Sequence, residues 1–151
     1  MTVKVVTDST SDIPLEVAQK LGITIVPNYV NFGNDTFCEG IDITPEEFYQ
    51  KLTENPIHPT TSAAPPIDFL KFYIELSQKT DNIISIHPSS KLSAIYNNAL
   101  LAKKMAGEKT NCKIAVINSS LVVMAMGLLV ISAARLAKEG KNLEEILELI
   151  Q

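Results

Sequence analysis

The chain has 151 residues, of which 46% are hydrophobic and 20% are charged, and its net charge is −4 at pH 7. This composition excludes a disordered chain, and the length is enough for one domain with a core of its own. Nucleic acid is not an expected partner, because phosphate binding needs concentrated positive charge and the sequence has no long cluster of Lys and Arg.

The first half of the chain alternates short apolar runs with helical segments. Gly22 ends the first helix, and Thr44 begins the second as its cap, with Glu47 completing a capping box. The predicted strands are Lys4–Thr7, Ile23–Val26 and Tyr29–Phe32, and the predicted helices are Leu15–Leu21, Thr44 to about Asn55, and Ile67–Ser77. The segment PTTSAAPP, residues 59–66, is predicted to be a stiff loop before the third helix.

The second half continues the alternation. It predicts the strands Asn82–Ile86 and Lys113–Ile117, a helix ending at Gly107, an apolar helix that runs through Leu121–Ile131 to Gly140, and a last helix capped by Asn142 with Glu145. A helix needs about 20 apolar residues to span a bilayer, and this run is shorter. We therefore expect a fully buried helix and no stable membrane insertion.

Strands that alternate with helices predict an α/β fold, with a mostly parallel sheet and helices on both of its faces. In such sheets, ligands bind outside the carboxyl ends of the strands. The polar segments that follow the predicted strands are therefore the first place to search for a functional site.

Three predicted strands end in turns rich in hydroxyl side chains, at residues 8–12, 89–93 and 118–120. The loop with Thr60, Thr61 and Ser62 joins them if it folds over the same edge. These residues are typical both of helix caps and turns and of an anion site that uses hydroxyls and helix N-termini, and the sequence leaves both interpretations open. Without a nearby Arg, a carboxylate fits better than a phosphoryl group, although Lys91 leaves the second open.

No catalytic residue is predicted. A serine nucleophile needs a base, and the sequence places neither His58 nor His87 beside a serine, so both are interpreted as polar loop or capping residues. An enzyme acting on a small carboxylated or phosphorylated metabolite remains the alternative.

Cys38 and Cys112 form no CxxC pair, which predicts two reduced thiols in a cytoplasmic protein and no zinc site.

Five short motifs occur in an order that resembles the DegV family. They are VTDSTSDIP near the start, EEFYQKL, PTTS near position 60, SSKLS leading into a helix, and INS followed by GLLV. Each motif alone is weakly specific, but the ordered set extends over essentially the whole chain. The resemblance implies a Rossmann-like, three-layer domain.

The resemblance also implies that the protein binds a long-chain fatty acid and is not itself an enzyme. In bacterial fatty acid kinase systems, such proteins hold the acyl chain in an apolar pocket and present its carboxylate to a separate kinase, which makes an acyl phosphate. Carried onto this sequence, Thr61 and Ser93 would hydrogen-bond the carboxylate, with Ser62 and the backbone around Ala94 as further ligand-binding positions. No metal or other cofactor is implied.

Chains of this family are usually nearly twice as long and have a second domain that closes over the first. We therefore expect residues 1–151 to correspond to the N-terminal lipid-binding domain, with the C-terminal domain absent from this chain. The sequence departs from the family pattern at Ala63-Ala64-Pro65, Ala94-Ile95 and Asn118. These departures make the surroundings more apolar and leave the hydroxyls of Thr61 and Ser93 in place.

Overall fold

Strands and helices alternate along most of the chain in a computed structural model that describes residues 3–150. The strands are β1 (Lys4–Asp8), β2 (Ile23–Val26), β3 (Tyr29–Phe32), β4 (Asp35–Cys38), β5 (Thr60–Ser62), β6 (Asn82–His87) and β7 (Lys113–Asn118). The helices are α1 (Leu15–Leu21), α2 (Pro45–Glu54), α3 (Pro66–Ser77), α4 (Ile95–Gly107), α5 (Val123–Lys138) and α6 (Leu143–Ile150). A 3₁₀ turn, Ser9–Ser11, follows β1.

Four of the strands form a parallel sheet in the order β2-β1-β6-β7. Successive side chains of a strand point to opposite faces, so Val5 packs with α1, α5 and α6 while Val6 packs with α3 and α4. Both faces of the sheet are thus covered by helices. The predicted α/β architecture with a three-layer, mostly parallel arrangement is confirmed.

A second, antiparallel sheet has the order β4-β3-β5. The predicted strand Tyr29–Phe32 is confirmed but belongs to this sheet, and β4 and β5 were not predicted as strands. β5 has three exposed residues, so it has no alternation of apolar and polar positions that reveals a strand. Beneath this sheet, Val30, Phe32 and Ile43 form a small core of their own.

Both predicted capping boxes are confirmed. The Glu47 N–H donates to Thr44 Oγ1 at 3.2 Å and the Thr44 N–H donates to Glu47 Oε2 at 2.8 Å, so two backbone donors at the start of α2 are satisfied. Asn142 and Glu145 make the same reciprocal pair at α6, at 2.8 and 3.0 Å. These local signals place both helix starts correctly because they act within one turn of the chain.

The prediction of a fully buried helix at Leu121–Ile131 is wrong. α5 begins only at Val123, and its first turns leave large apolar side chains in contact with solvent. Val123 is 51% exposed and Leu128 is 59% exposed, whereas Met126 and Val130 are fully buried. A run in which every position is apolar carries no periodicity, so it cannot reveal which face of the helix is turned toward the sheet.

Candidate ligand site at the carboxyl edge of the parallel sheet

The three hydroxyl-rich turns meet at one edge of the parallel sheet, as predicted. β1, β6 and β7 are parallel neighbours, so their carboxyl ends lie side by side. Hydrogen bonds connect the turns after β6 and β7: the Ser119 N–H donates to the His87 carbonyl at 3.0 Å, and Asn118 Nδ2 donates to Ser90 Oγ at 2.8 Å. The contact between His87 Nδ1 and Asp8 Oδ2, at 2.7 Å, brings the turn after β1 to the same edge.

In the first of these turns, internal hydrogen bonds involve most of the side chains. Ser9 Oγ donates to Glu39 and accepts from Asn28, and Thr10 Oγ1 donates to Asp8 Oδ1. Ser11 is fully buried, and within residues 3–150 its Oγ is the one buried side-chain polar atom that lacks a hydrogen-bond partner. For Ser9 and Thr10, the turn-forming interpretation is the one that the contacts favour.

Ser93 and Ala94 lie where the turn after β6 enters α4. Ser93 is half-buried, and its Oγ accepts from the Ile95 N–H at 3.3 Å, which leaves its own O–H free to donate. Ala94 is exposed and occupies the cap position, where it offers no side-chain acceptor to the helix. The Ile95 N–H is thus already bonded to Ser93, so this position offers an anion the Ser93 O–H at the N-terminal end of α4.

Thr61 and Ser62 differ in what their hydroxyls contact. Thr61 pairs with Val30 across the small sheet and shares its face, is exposed, and has no side-chain hydrogen bond to any other residue in 3–150. Ser62 lies on the opposite face, where its Oγ accepts from Asn31 Nδ2 at 2.9 Å. The Thr61 hydroxyl is thus available to a ligand, whereas Ser62 helps to hold β3 and β5 together.

Within residues 3–150, the two predicted carboxylate-binding segments share no direct hydrogen bond, but both are connected to Ala64. The Ala64 N–H donates to Asn28 Oδ1 at 2.9 Å, and its carbonyl accepts from Asn98 Nδ2 of α4 at 2.9 Å. Ala64 is three residues from Thr61, and Asn98 is one helical turn from Ala94, whose carbonyl accepts its N–H. Ala64 thereby connects the end of β5 to the start of α4.

Sequence reasoning missed Asn28 and Asn98 as site residues. Asn28 follows β2 at the same carboxyl edge and is only 5% exposed, so the rule that selected the three turns also applies to it. For Asn98, no local signal distinguishes it from its neighbour Asn97. Its role becomes visible only when α4 is packed beside the loop that follows β5.

The interpretation of His87 as a polar loop or capping residue is wrong. His87 is the last residue of β6 and is fully buried, with Nδ1 2.7 Å from Asp8 Oδ2 and Nε2 2.6 Å from Ser85 Oγ. Ser85 and His87 are two positions apart on a strand and therefore share a face, which the sequence alone would have indicated. Tyr73 of α3 donates to Ser85 Oγ at 2.8 Å.

These contacts form one continuous buried chain. Tyr73 donates to Ser85 Oγ, Ser85 Oγ is paired with His87 Nε2, and His87 Nδ1 is paired with Asp8 Oδ2. Ser85, His87 and Asp8 have the connectivity of a hydrolytic triad. However, all three are fully buried and the Phe69 ring lies edge-on to His87 at 5.1 Å, so the Ser85 hydroxyl has no access to a substrate.

An apolar surface adjoins this polar edge. It consists of the exposed large side chains around the start of α5, and we call it the α5 apolar patch: Leu121, Val122, Val123, Met124 and Leu128. Because α5 follows β7, this patch lies at the same carboxyl edge as Ser93. Polar and apolar surfaces therefore stand side by side at the candidate site.

Tyr29 carries a marked electrostatic perturbation at the border of the small sheet. Its O–H donates to Asp68 Oδ2 of α3 at 2.6 Å, and this hydrogen bond, together with burial and the Asp68 charge, raises the pKa of Tyr29 to about 12.

Burial raises the pKa of both the Cys38 and the Cys112 thiols, which disfavours their thiolates. Residues 3–150 contain no cluster of three or more His, Cys, Asp or Glu suited to a metal ion.

No helix within the described part of the chain has the length and apolar character needed to cross a membrane.

Comparisons with known proteins point to one family. A family model described as "Uncharacterised protein, DegV family" matches residues 2–151. The chain is 37% identical over 148 residues to a DegV domain-containing protein of Caldanaerobacter subterraneus subsp. tengcongensis, a match covering 98% of this chain and 51% of the relative. It is 33% identical over 145 residues to Protein DegV of Bacillus subtilis, covering 96% and 50%.

Solved structures give the same answer. DegV from Bacillus subtilis, described as a fatty acid binding protein, is similar with a TM-score of 0.92 and 32% identity over 99% of this chain and 52% of that one. A DegV family protein from Thermus thermophilus, whose structure is described by its fatty acid binding, has a TM-score of 0.88 at 35% identity, with 99% and 52% covered. The chain spans about half the length of the curated relatives it matches.

Proposed function

This chain belongs to the DegV family, and on that premise we propose that it binds a long-chain fatty acid at the carboxyl edge of its parallel sheet. In this proposal, the hydroxyls of Thr61 and Ser93 donate to the carboxylate, and the backbone around Ala94, at the start of α4, completes the anion site. Ser62 contributes indirectly, because its hydrogen bond with Asn31 holds β5 in position beside β3. The acyl chain lies against the α5 apolar patch.

One observation carries the proposal: an unbonded hydroxyl at Thr61, a Ser93 hydroxyl that can donate at the start of α4, and an exposed apolar surface belong to segments that meet at one edge of the parallel sheet. A fatty acid needs this combination, because it has one charged end and a long apolar tail. Related DegV proteins of known structure are described as fatty acid binding.

The expected free energies give the apolar patch and the hydroxyl groups different roles in binding. Burying a methylene group contributes about 0.8 kcal/mol, so a tail of about fourteen methylenes contributes on the order of 11 kcal/mol before the costs of association. A hydrogen bond to a charged group contributes about 1.5–3 kcal/mol. The tail therefore sets most of the affinity, and the hydroxyls set the orientation of the carboxylate.

We further propose that the protein acts without catalysing a reaction and presents the bound carboxylate to a separate fatty acid kinase in the cytoplasm. The exposed position of Thr61, and the lack within residues 3–150 of a base hydrogen-bonded to Thr61 or Ser93, support a presenting role. In the same proposal, residues 1–151 correspond to the N-terminal lipid-binding domain of the longer relatives, which the coverage of about half their length supports.

The experiment is lipid analysis of the purified protein by native mass spectrometry, followed by titration with a fatty acid. We expect a bound mass in the range of fatty acids, and we expect T61A combined with S93A to weaken binding by roughly tenfold or more. Thr60→Ala is the matched control, since Thr60 is an exposed neighbour on the other face of β5.

Three results would count against this proposal in different ways. Neither recovered lipid nor binding of added fatty acid would overturn it. An equal effect of Thr60→Ala would contradict the assignment of Thr61. Turnover of a small carboxylated or phosphorylated metabolite by the protein alone would instead support the enzyme alternative.

A further inference from the structure

Asn28 is a buried asparagine whose polar groups contact three separate parts of the chain. Its backbone N–H and its Nδ2 both donate to Ser9 Oγ, at 3.1 and 3.0 Å, and Nδ2 also lies 3.3 Å from Asp8 Oδ1. Its Oδ1 accepts the Ala64 N–H, and its carbonyl accepts the Glu39 N–H at 2.9 Å. One residue thus joins the turn after β1, the end of β4 and the loop after β5.

The backbone of Ala64 is held on both sides by asparagine side chains. Asn28 accepts from its N–H and Asn98 donates to its carbonyl, each at 2.9 Å, and Ala64 itself is fully buried. A buried backbone group without a partner is costly, so both contacts resist displacement of this residue. Three residues earlier lies Thr61, whose position therefore follows that of Ala64.

Only one orientation of the Asn28 amide satisfies its neighbours. Ala64 offers an N–H and needs an acceptor, whereas the Asp8 carboxylate is an acceptor and needs a donor. Turning the amide over would set two donors against each other at Ala64 and two acceptors against each other at Asp8. The carboxylate thus selects the orientation in which Asn28 Oδ1 faces Ala64.

Asp8 is itself fixed. Its Oδ2 accepts from His87 Nδ1 at 2.7 Å, and its Oδ1 accepts from the Thr10 N–H at 3.1 Å as well as from the Thr10 hydroxyl. The buried Ser85–His87–Asp8 network, which has no access to a substrate, therefore has an effect at the surface. It holds Asp8, which orients Asn28, which in turn holds Ala64.

We propose that Asn28 is a positioning residue of the carboxylate site, whose amide couples the buried Asp8–His87 pair to the backbone of Ala64 and so sets where Thr61 stands relative to Ser93. This inference rests on the proposed function. It adds that binding of the carboxylate depends on a residue that does not touch it.

The test is a double-mutant cycle in fatty acid affinity between Asn28→Ala and Thr61→Ala. If Asn28 acts through Thr61, Asn28→Ala weakens binding by no more than Thr61→Ala does, and adds less than about a further twofold in the Thr61→Ala background. If Asn28 had only a structural role, the fold-losses in affinity caused by Asn28→Ala and by Thr61→Ala would multiply in the double variant. Thr7→Val is the matched control: it removes another buried hydrogen bond, from Thr7 Oγ1 to the Ile86 carbonyl at 2.9 Å, that does not lead to Ala64.

A second measurement does not depend on the ligand. Hydrogen exchange of the Ala64 amide is expected to be slow in the unmodified chain and in Thr7→Val, and fast in Asn28→Ala, because only that variant removes its acceptor. If Asn28→Ala fails to fold, Asn98→Ala replaces it, since the half-buried Asn98 holds Ala64 from the other side and the same coupling with Thr61 is expected.

The outcomes separate the two proposals. Fatty acid binding with independent, multiplying effects of Asn28→Ala and Thr61→Ala would overturn the inference alone, as would unchanged exchange at Ala64 in Asn28→Ala. Absence of fatty acid binding by the unmodified chain would overturn the proposed function and, with it, the inference.

Discussion

At the scale of single residues, burial and hydrogen bonding give chemically ordinary side chains distinct tasks. The Thr61 hydroxyl is exposed and free, whereas that of Ser62, its neighbour in the chain, is bonded to Asn31. The difference follows from the alternation of a strand, which directs neighbouring side chains to opposite faces. Residue type alone therefore does not separate an unbonded hydroxyl from one that holds two strands together.

Tyr29 provides a prediction at this scale. We expect Asp68→Asn to lower the pKa of Tyr29 from about 12 toward its ordinary value, because the substitution removes the charged acceptor of its hydroxyl. NMR titration of the Tyr29 ring checks it. Glu75→Gln is the control, since Glu75 lies on the same helix but pairs with Lys79; an equal shift in that variant would contradict the assignment to Asp68.

The same shift has a consequence for stability. A pKa raised in the folded state means that folding favours the protonated tyrosine. The contribution of Tyr29 to stability is therefore complete below the unfolded pKa near 10, and is lost as the pH rises toward about 12. Asp68→Asn should flatten this alkaline loss in denaturation experiments made at increasing pH.

At the scale of elements, α5 packs closely against the turn that follows β1. A Cβ at Gly127 would lie 2.3 Å from the Ser11 carbonyl oxygen, a distance that real Cβ atoms do not show. The obstacle is backbone and not the end of a flexible side chain, so it cannot move without shifting the turn. Glycine at this position therefore permits the close approach of the helix to Ser9–Ser11.

Gly127→Ala is accordingly expected to destabilise the protein by on the order of 1–3 kcal/mol. Gly107→Ala is the matched control: it lies at the end of α4, and a Cβ there would meet nothing within 4 Å. That variant should be neutral or more stable by up to about 1 kcal/mol, because alanine favours the helix. Urea denaturation of both variants checks the pair, and equal midpoints would contradict the packing argument.

At the scale of the whole molecule, the two sheets differ in how much they bury. The parallel sheet lies between two extensive apolar clusters, whereas the cluster of the small sheet consists of Val30, Phe32 and Ile43 with the partly buried Phe37 and Phe48, and α2 contributes no fully buried residue. A region with few buried apolar contacts opens at lower free energy than the rest of the fold. The small sheet with α2 is thus expected to be the less stable part.

Native-state hydrogen exchange tests this difference. We expect the amides of β4 and α2 to exchange through local openings, with lower free energies than those of β1 and β6, which should approach the global free energy of unfolding. Uniform free energies across both sheets would show instead that the molecule opens as one unit. Because β5 is followed closely by Ala64, which Asn28 and Asn98 hold, the opening free energies of its amides should lie between these limits.

The sequence by itself determined the elements that depend on neighbours in the chain. Apolar runs placed β1, β2, β6 and β7 closely, and the capping boxes at Thr44 and Asn142 placed two helix starts, because such signals act within a few residues. The alternation of strands and helices then predicted the parallel sheet and the edge at which three polar turns meet.

The tertiary structure alone decided which distant residues meet. Strand order brings His87 to Asp8, 79 positions apart, and helix packing brings Asn98 to Ala64, while Asn28 approaches Ala64 from the opposite side. It also decided that the start of α5 is exposed and that three short strands form a second sheet. These features depend on register and packing between elements, and no local pattern encodes them because their energies arise only when the elements are assembled.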